Sequence, residues 1–93
     1  MIKSFATEAT RQVFDGDVVA EMPVDMQGEA LKKMQVLNAA AELRDLEIAL
    51  GVKLELLTDE REGKHCVRVN HQGRLCFRWT EGHAHDVEIF GYH

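Results

Sequence analysis

The side chains best suited to chemistry on a charged substrate fall in the last third of the chain. The stretch V-R-V-N-H-Q-G-R-L-C-F-R-W sets Arg68, Arg74 and Arg78 between the apolar residues Val67, Val69, Leu75 and Phe77. In a strand this alternation sends the guanidiniums to one face and the apolar groups to the other. A guanidinium fork matches the oxygens of a phosphate or carboxylate. The chain then closes on D-V-E-I-F-G-Y-H, whose last residues are Tyr92 and His93. A phenol and an imidazole can both pass protons, the imidazole near neutral pH. Anion binding beside proton transfer is the chemistry these residues could perform.

Elements must bring them together. A turn at His71-Gln72-Gly73, with glycine in its left-handed position, would join the strands His65–Asn70 and Arg74–Trp79. Asn70 then opposes Arg74, Val69 meets Leu75 and Val67 meets Phe77, while Arg68 faces Cys76 and Cys66 faces Arg78. A third strand, Asp86–Phe90, follows an E-G-H-A-H turn, and its Asp86 and Glu88 could pair with the arginines as a charged ladder. Trp79 is expected to cap the apolar face beside Leu75 and Phe77. His83 and His85 read as turn residues, since no third ligand has metal-site spacing.

Earlier in the chain, I-K-S-F alternates like a short strand, and Thr7 can cap a helix over Thr10–Phe14 that Asp15-Gly16-Asp17 ends. Val18–Gly28 gives weak signals, and Pro23 excludes a helix interior there. The clearest helix runs roughly from Gly28 to Leu46, with Leu31, Met34, Leu37 (or Asn38) and Ala41 as its buried stripe, widened by Val36, Ala40, Leu43 and Leu46. Lys53–Leu57 is ambiguous, and Thr58–Lys64 is turn-forming. The order is strand, two helices, three-stranded antiparallel meander, an α+β layout in which two helices pack on one face of the sheet.

Composition bounds the rest. Ninety-three residues make a single domain, 1–93, and 45% apolar content makes it globular. A formal charge of −5 opposes nonspecific adhesion to nucleic acid, without excluding a local cationic face. No apolar run has the length of a membrane span and the N-terminus lacks a signal peptide's apolar stretch, so a cytoplasmic protein is expected, with no membrane role. In that compartment Cys66 and Cys76 are expected as free, buried thiols.

Three segments carry a resemblance to a known family: L-N-A-A-A-E-L-R-D-L, then K-L-E-L-L-T-D-E-R-E-G-K-H-C-V-R-V-N-H-Q-G-R-L-C-F-R-W, then D-V-E-I-F-G-Y-H. Their order and spacing closely resemble the HigB-type, GraT-like branch of the RelE toxin superfamily, over nearly the whole chain. The resemblance implies a RelE-like α+β fold and an endoribonuclease toxin that cuts messenger RNA on the translating ribosome. It implies no cofactor and no metal: the ribose 2′-OH attacks the adjacent phosphate and leaves a cyclic phosphate. Its partners would be the ribosome, mRNA and a helix-turn-helix antitoxin of HigA type, with operator DNA reached only through the antitoxin.

By position, the resemblance implies catalytic roles for Arg74, Tyr92, His93 and Glu55, the last aligning with a site that is His or Glu in the family. Arg68, Arg78, Lys53 and Lys64 are the cations expected to hold RNA. The chain departs from the pattern at Gly73, where the family has Trp, and at Gly91, where it has Asp. The departures imply weakened cleavage, and a second reading in which the protein acts mainly by binding its antitoxin.

Overall fold

A computed structural model of the chain describes residues 1–56 and 63–91. Its elements are helices α1 (Glu8–Phe14), α2 (Val24–Ala39) and α3 (Leu43–Leu50), then strands β1 (Glu55–Leu56), β2 (His65–Asn70), β3 (Gly73–Thr80) and β4 (His83–Phe90). The strands form one antiparallel sheet in the order β1-β2-β3-β4. The layout is α+β, as expected, with three helices in place of two. No helix among the described residues is long and apolar enough to cross a membrane.

The third helix arises because the long helix read over 28–46 breaks at Ala40, whose backbone is extended (φ −71°, ψ 134°). Glu42 and Asp45 then form a reciprocal capping box: the Glu42 side chain accepts from the Asp45 N–H and Asp45 Oδ2 accepts from the Glu42 N–H at 2.9 Å. Capping hydrogen bonds outweighed a continuous apolar period. At its other end α2 starts directly after Pro23, so Met34 and Leu37 are wholly buried as expected and Met26 and Ala30 extend the stripe one turn earlier, whereas Ala41 is exposed. Leu31 stays half-buried. Thr7 caps α1 as anticipated, accepting from the Thr10 N–H.

The N-terminal strand is reduced to isolated parallel bridges of Ile2 and Phe5 with Ala84 and Val87 of β4. Four backbone hydrogen bonds support them, among them Lys3 N–H to the Ala84 carbonyl at 2.7 Å. β4 itself begins three residues earlier than expected. Glu81 and Gly82 alone make the preceding turn, both with positive φ (52° and 80°), the geometry of a two-residue hairpin loop. His83 and His85 therefore lie in a strand rather than in a turn.

The β2–β3 hairpin is tighter than its expected register. His71 and Gln72 form the turn, the Asn70 Oδ1 accepting from the Gln72 N–H at 2.8 Å, and Asn70 pairs with Gly73. An irregularity between Arg68 and Asn70 completes an offset of two residues. An even offset preserves the faces, so Val67, Val69, Leu75 and Phe77 still pack against the helices. It changes the partners. Arg68 opposes Arg74, and Cys66 opposes Cys76 with Cα atoms 4.1 Å apart, where the two sulfurs are bonded. The expected free thiols are thus a cross-strand disulfide, because the shorter turn places the cysteines side by side. Gly73 has no positive φ, so its expected left-handed role is also corrected.

Trp79 packs against the core, its ring edge-on to Phe77 with centroids 6.3 Å apart.

Candidate functional site

The face of the sheet turned away from the helices carries the arginines. At the hairpin tip they border a cleft of about 190 Å³ lined by Arg68, Asn70, Gln72, Arg74, Phe90 and Gly91. Arg68 and Arg74 come from opposed positions of β2 and β3, so two guanidiniums share one wall. Arg68 is exposed and has no ion-pair partner among the described residues. Arg74 is restrained: Glu55 of the edge strand β1 stands opposite Cys66 and brings its Oε2 to 3.8 Å from Arg74 Nη2. Both partners are well exposed, so the contact orients Arg74 more than it stabilises the fold.

The far wall of the cleft is the end of β4, and three observations explain its placement. Thr10 of α1, itself buried, accepts the Ile89 N–H through Oγ1 at 3.0 Å. Gly91 then turns the chain out of the strand at φ +82°. Gly73 makes room for that approach. A Cβ built on it would lie 2.2 Å from Met26 Cε and 2.7 Å from the Phe90 carbonyl oxygen. The two glycines meet, since a Cβ on Gly91 would have the Gly73 Cα as its nearest contact at 3.9 Å. That distance is an ordinary contact, so the two glycines have different causes: Gly73 is required by the close passage of Met26 and Phe90, and Gly91 by its positive φ.

The remaining cations behave differently. Lys64 is 6% exposed, and its Nζ donates to the Asp86 carbonyl at 3.0 Å and lies 3.4 Å from Glu88 Oε1. It is spent on holding β4, away from the cleft. Arg78 is exposed and lies 3.5 Å from Asp86 Oδ2, whose backbone is left-handed (φ 51°) where the β3–β4 register slips. Of the charged ladder expected from sequence, Asp86 meets Arg78 whereas Glu88 meets Lys64. Lys53 is exposed just before β1. Tyr92 and His93 lie outside the described residues, although Gly91, their neighbour in sequence, lines the cleft.

Asn70, Gln72 and Phe90 were not among the residues singled out from sequence. The position of Asn70 and Gln72 around the turn between Arg68 and Arg74 could have signalled the first two; Phe90 reaches the cleft only through the pairing of Arg74 with Phe90. Chemically, the cleft offers two cationic forks, two side-chain amides, the His71 imidazole and an aromatic ring. Such a set can hold an anion and contact a planar group beside it.

The chain is similar in sequence to known proteins. The family model described as "RelE-like toxin of type II toxin-antitoxin system HigB" matches residues 3–93. Toxin HigB-1 of Vibrio cholerae serotype O1 is 35% identical over 63 residues, which span 68% of this chain and 66% of that protein. Endoribonuclease HigB of Proteus vulgaris is 27% identical over 93 residues, the full length of both chains.

Proposed function

The chain belongs to the HigB-like family, the RelE-like toxins of type II toxin–antitoxin systems, and from that premise we propose that it is an endoribonuclease acting on messenger RNA at the translating ribosome, in the cytoplasm. The observation that carries the reading is the cleft in which Arg68 and Arg74 face the end of β4. Two guanidiniums on one wall can offset the negative charge that a phosphodiester gains as a 2′-OH attacks it. Arg74 is the better placed of the two, being held by Glu55 before substrate arrives.

The chemistry needs a base for the 2′-OH and an acid for the departing 5′-oxygen. Tyr92 and His93 follow Gly91 directly in sequence, and a phenol and an imidazole can each give and take a proton. Glu55 orients Arg74 in this scheme and can accept a proton in turn. Arg68 and the amides of Asn70 and Gln72 would bind backbone and base, with Lys53 and Arg78 as outlying contacts. A helix-turn-helix antitoxin of HigA type restrains the activity, and operator DNA is reached through it alone.

The test is a defined message on translating ribosomes, treated with purified protein, with the 3′ ends of the fragments analysed. Fragments ending in a 2′,3′-cyclic phosphate are expected. Intact message, with antitoxin binding retained, would replace this reading with that of a binding protein.

A further inference from the structure

A second concavity lies between α1 and α2, and none of its lining residues borders the arginine cleft. It holds about 230 Å³ and is walled by Val13, Val18, Val24 and Leu31, with Gly16 and Gly28 leaving it open. Val18 and Val24 are 78% and 70% exposed, the most of any large apolar residues among the described ones apart from Ile48 of α3. Isolated exposed valines need no explanation; two that flank one apolar groove do.

The groove is also preformed. Gln27, itself buried, donates from Nε2 to the carbonyls of Val19 and Met22 at 2.7 and 2.6 Å and accepts the Val19 N–H at 2.8 Å. Val19 and Met22 are buried beneath it. This anchoring fixes the connection between the helices with Val18 turned outward. A binding surface held ready in this way loses little freedom on association.

Its charge points to the occupant. Between Arg11 and Lys32 the chain has five carboxylates, Asp15, Asp17, Glu21, Asp25 and Glu29, and no basic residue. This stretch alone carries a charge equal to the −5 of the entire chain. Asp15 is met by Arg11, and Glu29 by Lys32 and Lys33; Asp17, Glu21 and Asp25 have no ion-pair partner among the described residues. Two copies of this face would repel, which argues against a second copy of the chain.

Resting on the toxin reading above, we infer that this groove is the antitoxin's docking site, receiving a segment with aliphatic side chains flanked by lysine or arginine. The surface is then separate from the catalytic cleft: the partner is held at one place while RNA binds at another. Electrostatic attraction at the rim speeds and orients docking, and the valines supply most of the affinity.

The experiment titrates purified antitoxin from the adjoining reading frame into the full chain by calorimetry. The double variant V18D/V24D should bind about 100-fold more weakly, from the apolar area of two valines that no longer leaves water. It should fold normally, because Val18 is exposed in the irregular connection after α1 and an aspartate at the first position of α2 suits a helix N-terminus. Its message cleavage should match wild type and escape neutralisation by antitoxin. D17K/D25K should bind about 10-fold more weakly at low salt, the difference shrinking as salt rises. I48D, on α3, serves as the exposed apolar control and should change nothing. Unchanged affinity in V18D/V24D would overturn the inference, as would antitoxin binding lost instead in R68A, or wild-type dimers that V18D/V24D dissolves. Absence of cleavage by wild type would defeat the toxin reading and leave the affinity result to be judged separately.

Discussion

Replacing Gly73 with alanine tests whether the close passage at the cleft is real. The new methyl would sit 2.2 Å from Met26 Cε and 2.7 Å from the Phe90 carbonyl oxygen, against ordinary contacts near 3.5–4.0 Å. Met26 is wholly buried, so its methyl cannot swing into solvent, and the Phe90 oxygen is backbone. Overpacking of this kind costs about 1–3 kcal/mol. For a domain of this size the melting temperature should fall by roughly 5–20 °C. Met26→Ala empties the space, itself costing about 2–5 kcal/mol. In that background Gly73→Ala should be at least about 1 kcal/mol less harmful than in wild type, a coupling that urea denaturation of the four proteins measures. The carbonyl clash survives both changes and pushes the end of β4 outward, so cleavage should drop more than the folded fraction does. An unchanged melting temperature, or additive effects of the two substitutions, would refute the geometry.

Three further outcomes follow from particular contacts. Reducing the Cys66–Cys76 bond, which closes a loop of 11 residues, should cost about 3 kcal/mol and lower the melting point correspondingly, with two thiols then titratable under denaturing conditions; an identical melt with and without reductant would show the bond to be absent in solution. His83 has a buried Nδ1 with no hydrogen-bond partner among the described residues, and burial, with repulsion from Lys3, the N-terminal amine and His85, lowers its pKa. The unfolded chain therefore takes up the proton first: the contribution of this ring is complete above about pH 6.5 and is lost as pH falls through the lower folded midpoint, so His83→Gln should flatten that part of the stability profile, and an NMR midpoint above that of free histidine would contradict this. Thr10→Val removes the acceptor of the Ile89 N–H and should destabilise by about 1–3 kcal/mol in chemical denaturation; a neutral effect would mean that β4 is not pinned there.

What could be read from the residues divides by range. Period-two alternation gave the two faces of the sheet, and those survived a register error because the offset was even. The α+β layout, the Thr7 cap and the arginine face were equally local signals. The misses were competitions that pattern alone does not weigh. The Asn70 side chain favoured a tighter turn than the glycine suggested, and that choice turned two thiols into neighbours. The Glu42–Asp45 box cut a helix whose apolar spacing ran on. Lys64 resembles a surface cation in sequence, yet the folding of β4 over it makes it a buried strut. At the cleft the arginines were legible, whereas the contact of Gly73 with Gly91 depends on backbone segments far apart in the chain.

The central claim is that Arg74 and the residues after Gly91 act together on one phosphodiester. Single-turnover cleavage of a ribosome-bound message should be measured for wild type, Arg74→Ala, a chain ending at Gly91, and the two changes combined. Each single change should slow cleavage by about 10²–10³-fold, and the combination should be scarcely slower than either, as groups working as a unit behave. Full activity in Arg74→Ala, or losses that multiply in the combined protein, would contradict the account.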